Sequence, residues 1–233
     1  MSHNVAIDGP AGAGKSTIAK RIARRLGYIY VDTGAMYRAM AYYLIQNQVD
    51  AADQEAIAAA CQHADISICY QDGEQVVLLN GENVNAYLRT EAVGNMASVS
   101  SAVPEVRKKL VELQQKLARE TNVVMDGRDI GTVVLPDADV KVYLTASVET
   151  RAKRRFLELQ EKGEPTDLAK IAADIEDRDY RDMHRELSPL KQAEDAILLD
   201  TSALDFEEVM REMEKLVEAA KKKQKNPIAA GNF

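Results

Sequence analysis

A glycine-rich loop near the start of the chain restricts the fold more than any other feature of the sequence. The loop fits the pattern G-x-x-x-x-G-K-[ST], and its residues are Gly9-Pro10-Ala11-Gly12-Ala13-Gly14-Lys15-Ser16. The apolar run Val5-Ala6-Ile7 predicts a short buried strand before it, and apolar residues recur at helical spacing from Lys15 to Leu26. Such a loop between a strand and a helix is typical of nucleoside triphosphate sites. A glycine-rich turn without a ligand is the alternative, and both flanking elements argue against it.

The chemistry of the loop predicts a site for ATP and its magnesium ion. Glycine lets backbone N–H groups approach phosphate oxygens closely, and the start of the following helix adds N–H donors and the positive end of the helix dipole. Lys15 is expected to reach the β- and γ-phosphates, and the Ser16 hydroxyl is expected to bind Mg²⁺.

Alternating strands and helices predict a central parallel sheet with crossover helices. Further strands are predicted at Tyr28–Val31, Val123–Asp126, Val140–Leu144 and Ala196–Asp200. Helices are predicted at about Ala35–Ile45, Asp53–Ala64, Pro104–Glu120, from Val148, near Asp167–Met183 and at Phe206–Ala220. The Lys-rich tail from Lys221 to Phe233 has little to bury and is predicted to be disordered.

The middle of the chain breaks this alternation. Asp72-Gly73 and Asn80-Gly81 are preferred hairpin turns, because Gly and Asn tolerate positive φ. They separate three short segments that predict a small antiparallel β-ribbon inserted into the α/β domain: Ile66–Tyr70, Gln75–Leu79 and Val84–Asn85.

A second anion site is predicted just after the second strand, at Asp32–Arg38. Asp32 and Thr33 are suitable N-cap residues, and the N–H groups of the next helix start can bind a phosphate. Arg38 lies about one and a half turns further on and can form a forked contact with the same phosphate. A plain helix cap with a surface arginine remains the alternative. Two adjacent phosphate sites are what a phosphoryl acceptor beside ATP requires.

A third polar segment, Asp126-Gly127-Arg128-Asp129, ends a strand and is therefore expected at the carboxyl edge of the sheet, where α/β proteins bind ligands. Asp126 is predicted to hold Mg²⁺ through water or to position the acceptor. Arg128 is predicted to neutralise charge on the transferring phosphoryl group. A structural turn with a salt bridge is the alternative for any single residue.

Arginines are concentrated in two later helices. Arg151, Arg154 and Arg155 have the spacing of one helix face, and a second set of charges runs from Arg178 to Arg185. Solvated helix faces would explain both sets. Their position after a phosphate loop instead favours a mobile flap that closes over ATP and excludes water, with Arg154 as an ATP contact.

Composition excludes several classes of function. The formal net charge of -7 argues against general binding to nucleic acid or anionic membranes. No apolar run is long enough for a membrane span, and residues 1–5 lack the features of a signal peptide. Cys61 and Cys69 are expected to be reduced packing residues, and the three histidines do not cluster as metal ligands. We therefore expect a cytoplasmic protein whose partners are small molecules.

The chain resembles the bacterial cytidylate (CMP) kinases, within the nucleoside monophosphate kinases, from about Asn4 to Ala220. The motifs that carry the resemblance are Ile7–Thr17, Asp32–Arg38, Asp126–Val134, and Arg178-Asp179 through Ser188-Pro189-Leu190. The first motif is shared by a broad superfamily, and the last two, with the inserted ribbon, are far more specific. The lysine-rich tail has no counterpart in the family.

The resemblance implies roles for individual residues. Thr17 joins the ATP-binding loop, and Thr33, Arg38 and Arg128 fall on the positions for the acceptor phosphate. Ser98, Arg107, Asp129 and Arg185 fall on positions associated with cytosine. Arg178 and Asp182 fall on positions around the sugar and the reacting phosphates. A carboxylate that accepts from the cytosine amino group would face an oxygen in uracil, a mismatch of about 1–3 kcal/mol.

The resulting expectation is an ATP-dependent CMP or dCMP kinase, with Mg²⁺ as cofactor and Lys15, Arg128, Arg178 and Asp126 as catalytic residues. The predicted fold is the three-layer P-loop NTPase fold with an inserted ribbon and a helical lid. Its predicted parts are a core at 1–35, 102–150 and 190–220, a monophosphate-binding region at about 36–101 and a lid at about 151–189. A monomer is expected.

Two alternatives remain open. One is another small-molecule kinase, such as a uridylate, adenylate or shikimate-type enzyme. The other is a regulatory nucleotide-binding switch, which the paired anion site disfavours because a switch has no acceptor to hold.

Overall fold

The structure is a computed structural model that describes residues 2–225. Within this range a five-stranded parallel sheet has the strand order β2-β6-β1-β7-β8. Its strands are β1 (Asn4–Asp8), β2 (Ile29–Asp32), β6 (Val123–Gly127), β7 (Val140–Thr145) and β8 (Ile197–Asp200). The predicted parallel α/β sheet is therefore confirmed.

Eight α-helices accompany the sheet in the described part of the chain. They are α1 (Lys15–Leu26), α2 (Thr33–Gln46), α3 (Gln54–Cys61), α4 (Glu91–Ser100), α5 (Pro104–Glu120), α6 (Val148–Glu161), α7 (Leu168–His184) and α8 (Phe206–Lys225).

Alternation along the buried strands builds two apolar layers, one on each face of the sheet. In β1, Val5 and Ile7 pack with α1 and α8, whereas Ala6 packs with α2 and α5. In β6, Val124 belongs to the first layer and Met125 to the second. Successive side chains of a strand point to opposite faces, so one short apolar run contributes to both layers. The result is the predicted three-layer arrangement.

The inserted ribbon is an antiparallel sheet of β3 (Ile66–Gln71), β4 (Glu74–Leu79) and β5 (Glu82–Asn83). Both predicted turns are present, with positive φ at Asp72-Gly73 and Asn80-Gly81. The third strand was predicted two residues too late. A two-residue turn pairs Leu79 directly with Glu82, whereas Val84 is buried in the core and precedes a 3₁₀ turn at Asn85–Tyr87.

Two short helices were not predicted. Helix α4 begins after Thr90, whose hydroxyl accepts a hydrogen bond from the Val93 N–H at 3.3 Å. A single π-helical turn at Ile130–Val134 follows β6. π-Helical turns are rare and occur frequently at functional sites.

Helices α6 and α7 form an antiparallel hairpin where the lid is predicted. Ser147 caps α6 through the Thr150 N–H at 3.2 Å. Asp167 caps α7 through the N–H groups of Ala169 and Lys170. The division of the chain into core, monophosphate-binding region and lid stays a prediction.

The C-terminal helix is longer than predicted. Helix α8 continues through Lys225, so the predicted start of the tail at Lys221 is wrong by at least five residues. Residues 226–233, the rest of the predicted tail, lie outside the described residues. Across residues 2–225, none of the helices has both the length and the apolar character that a membrane crossing requires.

Gly9, directly after β1, lies unusually close to the neighbouring strand β7. Its φ is +147°, and a Cβ atom there would lie 1.9 Å from the carbonyl oxygen of Leu144. An L side chain at this position would force the two strand ends apart.

We therefore expect Gly9→Ala to lower the free energy of unfolding by about 3 kcal/mol or more. Gly73→Ala is the control, because Gly73 also has positive φ but has open space around it; it should cost about 1 kcal/mol. Urea unfolding of both variants measures the difference, and equal losses would contradict the role of the strand contact.

Candidate active site

The glycine-rich loop follows β1 and turns into α1 without a side-chain cap. Gly14 occupies the N-cap position in the left-handed region, with φ of 89°, and no side chain caps the helix start. The buried Lys15 ammonium donates to the carbonyl oxygen of Pro10 at 2.7 Å. Burial and the nearby Arg128 guanidinium lower the pKa of Lys15. An uncapped helix start beside a desolvated cation is a site suited to a phosphate.

Asp126, near the end of β6, connects the loop to the neighbouring strand. Its Oδ2 accepts from the Ser16 hydroxyl at 2.9 Å, and its Oδ1 accepts from the Tyr30 hydroxyl at 2.9 Å. Burial, with Asp32 nearby, raises the pKa of the Asp126 carboxyl. A hydroxyl and a carboxylate side by side are hard oxygen donors of the kind that Mg²⁺ prefers. Among the described residues, no group of three or more acidic, histidine or cysteine side chains is arranged to hold a metal ion.

The second predicted anion site lies at the start of α2. Asp32 is the N-cap, and its Oδ1 accepts from the Ala35 N–H at 2.9 Å. The buried Thr33 hydroxyl donates to the carbonyl oxygen of Asp126 at 2.7 Å. Burial and the neighbouring Arg89 and Arg128 lower the pKa of Arg38, against the attraction of Asp32. The N-terminus of α2 thus lies directly beside the end of β6.

Two arginines and a carboxylate meet at the far end of the cleft. The buried Asp129 carboxylate is hydrogen-bonded to Arg107, and the Arg185 guanidinium lies 3.9 Å from its other oxygen. Arg107 also donates to the carbonyl oxygen of Ser101 at 3.1 Å. This cluster provides both a fixed carboxylate and guanidinium donors for a planar polar ligand.

Helix α7 brings further charges to the centre of the cleft. Arg128 Nε donates to Asp182 Oδ2 at 2.8 Å, which joins the end of β6 to α7. Burial, and after it the positive charge of Arg128, lowers the pKa of Arg178 to about 10. Cations packed together away from water are stabilised by an anion among them.

These groups line one cleft of about 260 Å³. The predicted residues that line it are Ala11, Gly12, Lys15, Ser16, Thr33, Arg38, Ser98, Arg107, Asp126, Arg128, Asp129, Arg178, Asp182 and Arg185. Asp32 and Tyr37 of the Asp32–Arg38 motif also line it, although no separate ligand role was predicted for either side chain. Two further polar lining residues, Arg89 and Ser101, lie outside the motifs and were not predicted.

Arg154, predicted to contact ATP, is not among the lining residues. Its guanidinium contacts the carbonyl oxygen of Thr201 at 2.9 Å and the Thr201 hydroxyl at 3.3 Å. The three arginines of α6 also have different surroundings. Arg151 is buried between the Ala11 carbonyl oxygen and Asp179, whereas Arg155 is exposed and pairs with Glu158. Spacing on one helix therefore did not predict a common role.

Asp8 is a buried carboxylate that the sequence analysis did not single out. Its two oxygens accept from the N–H groups of Ile130 and Gly131 at 2.8 and 2.7 Å. Burial raises the pKa of Asp8 to about 6, although these two hydrogen bonds favour the charged form. Asp8 thus holds the start of the π-helical turn that follows Arg128 and Asp129.

Comparisons of the sequence with a family model and with known proteins agree on one protein family. A family model described as cytidylate kinase matches residues 5–221. The cytidylate kinase of Lactobacillus johnsonii is 55% identical over 222 residues, which cover 95% of each chain. The cytidylate kinase of Caldicellulosiruptor saccharolyticus is 51% identical over 210 residues, 90% of this chain and 93% of that protein.

Among solved structures, an uncharacterized protein from Eubacterium ventriosum matches with a TM-score of 0.51 and 13% identity. The match covers 94% of this chain and 99% of that one. At this level of identity the likeness concerns the fold alone.

The raised pKa of Asp8 predicts a specific pH dependence of stability. Because its pKa is higher in the folded than in the unfolded chain, about 6 against 3.8, the folded protein binds the extra proton, and stability from this group is lost as pH rises from about 4 through 6. The loss is on the order of 2–3 kcal/mol. Asp8→Asn should remove it, so the variant should gain stability relative to the wild type over this range. Urea unfolding at several pH values tests this, and parallel curves would contradict it.

Proposed function

The chain belongs to the cytidylate kinase family, and from this premise we propose that it transfers the γ-phosphoryl group of ATP to CMP or dCMP. The products would be ADP and CDP or dCDP. The observation that carries the proposal is the single cleft in which the glycine-rich loop, the anion site of Thr33 and Arg38, and the Asp129 cluster meet. A donor site, an acceptor-phosphate site and a base site in this order are what a nucleoside monophosphate kinase needs.

On the donor side, we assign the phosphates of ATP to the backbone of Gly9–Ser16 and the Lys15 ammonium. Thr17 and Arg154 remain proposed ATP contacts at the edge of this site. Ser16 and Asp126 would hold Mg²⁺, supported by their 2.9 Å contact. When bound, the ion would neutralise negative charge on the β- and γ-phosphates.

On the acceptor side, we assign the CMP phosphate to Thr33, Arg38 and Arg128. The acceptor phosphate is already a nucleophile near neutral pH, so the chain mainly has to hold the two phosphates in line and neutralise their repulsion. Arg128 and Arg178, which both line the cleft and repel each other electrostatically, are suited to bind the oxygens of the transferring group. Asp182 is proposed to contact the sugar while it holds Arg128.

For the base we propose Ser98, Arg107, Asp129 and Arg185. Arg107 and Arg185 fix the Asp129 carboxylate from two sides. A carboxylate oxygen can accept from the cytosine amino group, whereas uracil presents an oxygen at that position. This arrangement supports a preference for cytosine over uracil.

We further propose a monomer that acts on small molecules in the cytoplasm, without nucleic acid or membrane partners. The net charge of -7 supports the absence of nucleic acid and membrane partners, because a negative overall field disfavours polyanions while the cations are concentrated inside the cleft.

A coupled assay of ADP release with CMP, dCMP, UMP, AMP and shikimate tests the proposed reaction. We expect CMP and dCMP to be turned over fastest, because the proposed base site at Asp129 suits the amino group of cytosine. Faster turnover of AMP, UMP or shikimate would favour another small-molecule kinase. ATP hydrolysis that no acceptor accelerates would favour a nucleotide switch.

Lys15→Ala is the matched negative control for this assay and should abolish transfer. If the variant kept most of its activity, the glycine-rich loop would not be the donor site.

The role of Asp129 can be tested with Asp129→Asn. The asparagine side chain keeps the shape of the aspartate and one oxygen that can accept from the arginines. Its N–H₂ group, however, can face the amino group of cytosine, and two donors cannot form a hydrogen bond with each other. We expect kcat/KM to fall about 10- to 100-fold for CMP and much less for UMP. Asp137→Asn, in an exposed turn, is the control. Equal losses for CMP and UMP would show that Asp129 does not read the base.

A further inference from the structure

Strand β2 lies at one edge of the parallel sheet. It pairs with β6 on one side only, through the register Ile29–Val123 to Asp32–Asp126. Polar backbone groups on the free side of an edge strand need partners from water or from other parts of the chain. Three such groups on β2 are the carbonyl oxygen of Tyr30 and both the N–H and the carbonyl oxygen of Asp32.

Side chains of the inserted ribbon bind these three groups. The Tyr70 hydroxyl of β3 donates to the Tyr30 carbonyl oxygen at 3.0 Å. The Gln75 side chain of β4 contacts Asp32 twice: its Oε1 accepts from the Asp32 N–H at 2.8 Å, and its Nε2 donates to the Asp32 carbonyl oxygen at 3.3 Å. One primary amide thus pairs with both backbone groups of a residue, as a neighbouring strand would.

Gln75 is itself held in place within the ribbon. It lies opposite Tyr70 in the β3–β4 pair, so the two side chains contact β2 from adjacent positions. The Asn85 side chain donates to the Gln75 carbonyl oxygen at 2.9 Å and accepts from the Val77 N–H at 3.0 Å. The amide of Gln75 therefore projects from a backbone that is fixed on both sides.

Glu74 provides a further polar link between the ribbon and the core. Its carboxylate pairs with Lys20 and Arg24 of α1 at 2.7 Å each, and all three side chains are 43–66% exposed. Exposed ion pairs contribute little to stability. The half-buried amide contact of Gln75 is thus more specific than the link at Glu74.

We propose that Gln75 is a positioning residue for the acceptor phosphate; this proposal rests on the proposed function. Asp32, whose backbone Gln75 clamps, is the N-cap of α2 through the Ala35 N–H. Helix α2 carries Thr33 and Arg38. The inserted ribbon therefore fixes the start of the helix that binds the acceptor phosphate, while the Thr33–Asp126 contact fixes it from the opposite side.

Steady-state kinetics of Gln75→Ala and Gln75→Glu test this role. Gln75→Ala removes both contacts with Asp32 and should raise KM for CMP about tenfold, with KM for ATP unchanged. Gln75→Glu keeps an acceptor for the Asp32 N–H but sets an oxygen against the Asp32 carbonyl oxygen, so it should not restore CMP binding. Gln71→Ala, at the exposed end of the same hairpin, is the control and should leave both KM values unchanged.

Cytidine separates positioning of the phosphate from a general effect on the site. As a competitive inhibitor without a phosphate, it should bind Gln75→Ala as well as it binds the wild type. The proposal is overturned if KM for CMP changes less than twofold, if KM for ATP rises equally, or if cytidine binding weakens as much as CMP binding. Its failure is distinct from failure of the proposed function, in which the wild type itself would not phosphorylate CMP.

Discussion

The site depends first on Asp126, a single buried residue that contacts both of its halves. Its carboxylate accepts from Ser16 of the glycine-rich loop and from Tyr30 of β2, and its backbone carbonyl accepts from Thr33 of α2. Because β6 lies between β1 and β2 in the sheet, the end of β6 lies between the glycine-rich loop and the start of α2. The distance between the proposed donor and acceptor sites is therefore set by adjacent strands, and phosphoryl transfer depends mainly on such positioning.

The cationic side chains of the cleft are arranged so that a bound anion would balance their positive charge. Arg107 and Arg128 each have an aspartate partner, whereas no ion pair of Arg38 or Arg178 occurs among the residues that the structure describes. Burial lowers the pKa of both guanidinium groups, and the attraction of Asp32 for Arg38 and of Asp182 for Arg178 offsets this only in part. A chain with a net charge of -7 can thus hold a strongly cationic cleft, because local placement rather than net charge decides which ligands bind.

Short sequence motifs predicted those parts of the structure that depend on interactions between neighbouring residues. The glycine-rich loop, the hairpin turns and the Asp32 cap each depend on backbone preferences of a few residues. Helix α4 was missed because Gly94, Asn95 and Ser98 are weak helix formers, and packing of Val93, Met96 and Ala97 into the core stabilises it instead. Helical spacing predicted one shared face for Arg151, Arg154 and Arg155, but spacing does not reveal which element covers each side chain, and Arg154 lies against Thr201.

Two ion pairs of α7 join the predicted lid region to the glycine-rich loop and to the end of β6. Arg151 joins Asp179 to the carbonyl oxygen of Ala11 in the loop, and Arg128 joins Asp182 to the end of β6. The first pair is buried and the second is partly buried, and they lie about one turn apart on the helix that carries Arg178. Removing one partner of a buried ion pair leaves the other charge uncompensated, which is strongly unfavourable. Any movement of α7 must therefore keep or replace both pairs, and phosphate oxygens in the cleft are suitable replacement partners for Arg128.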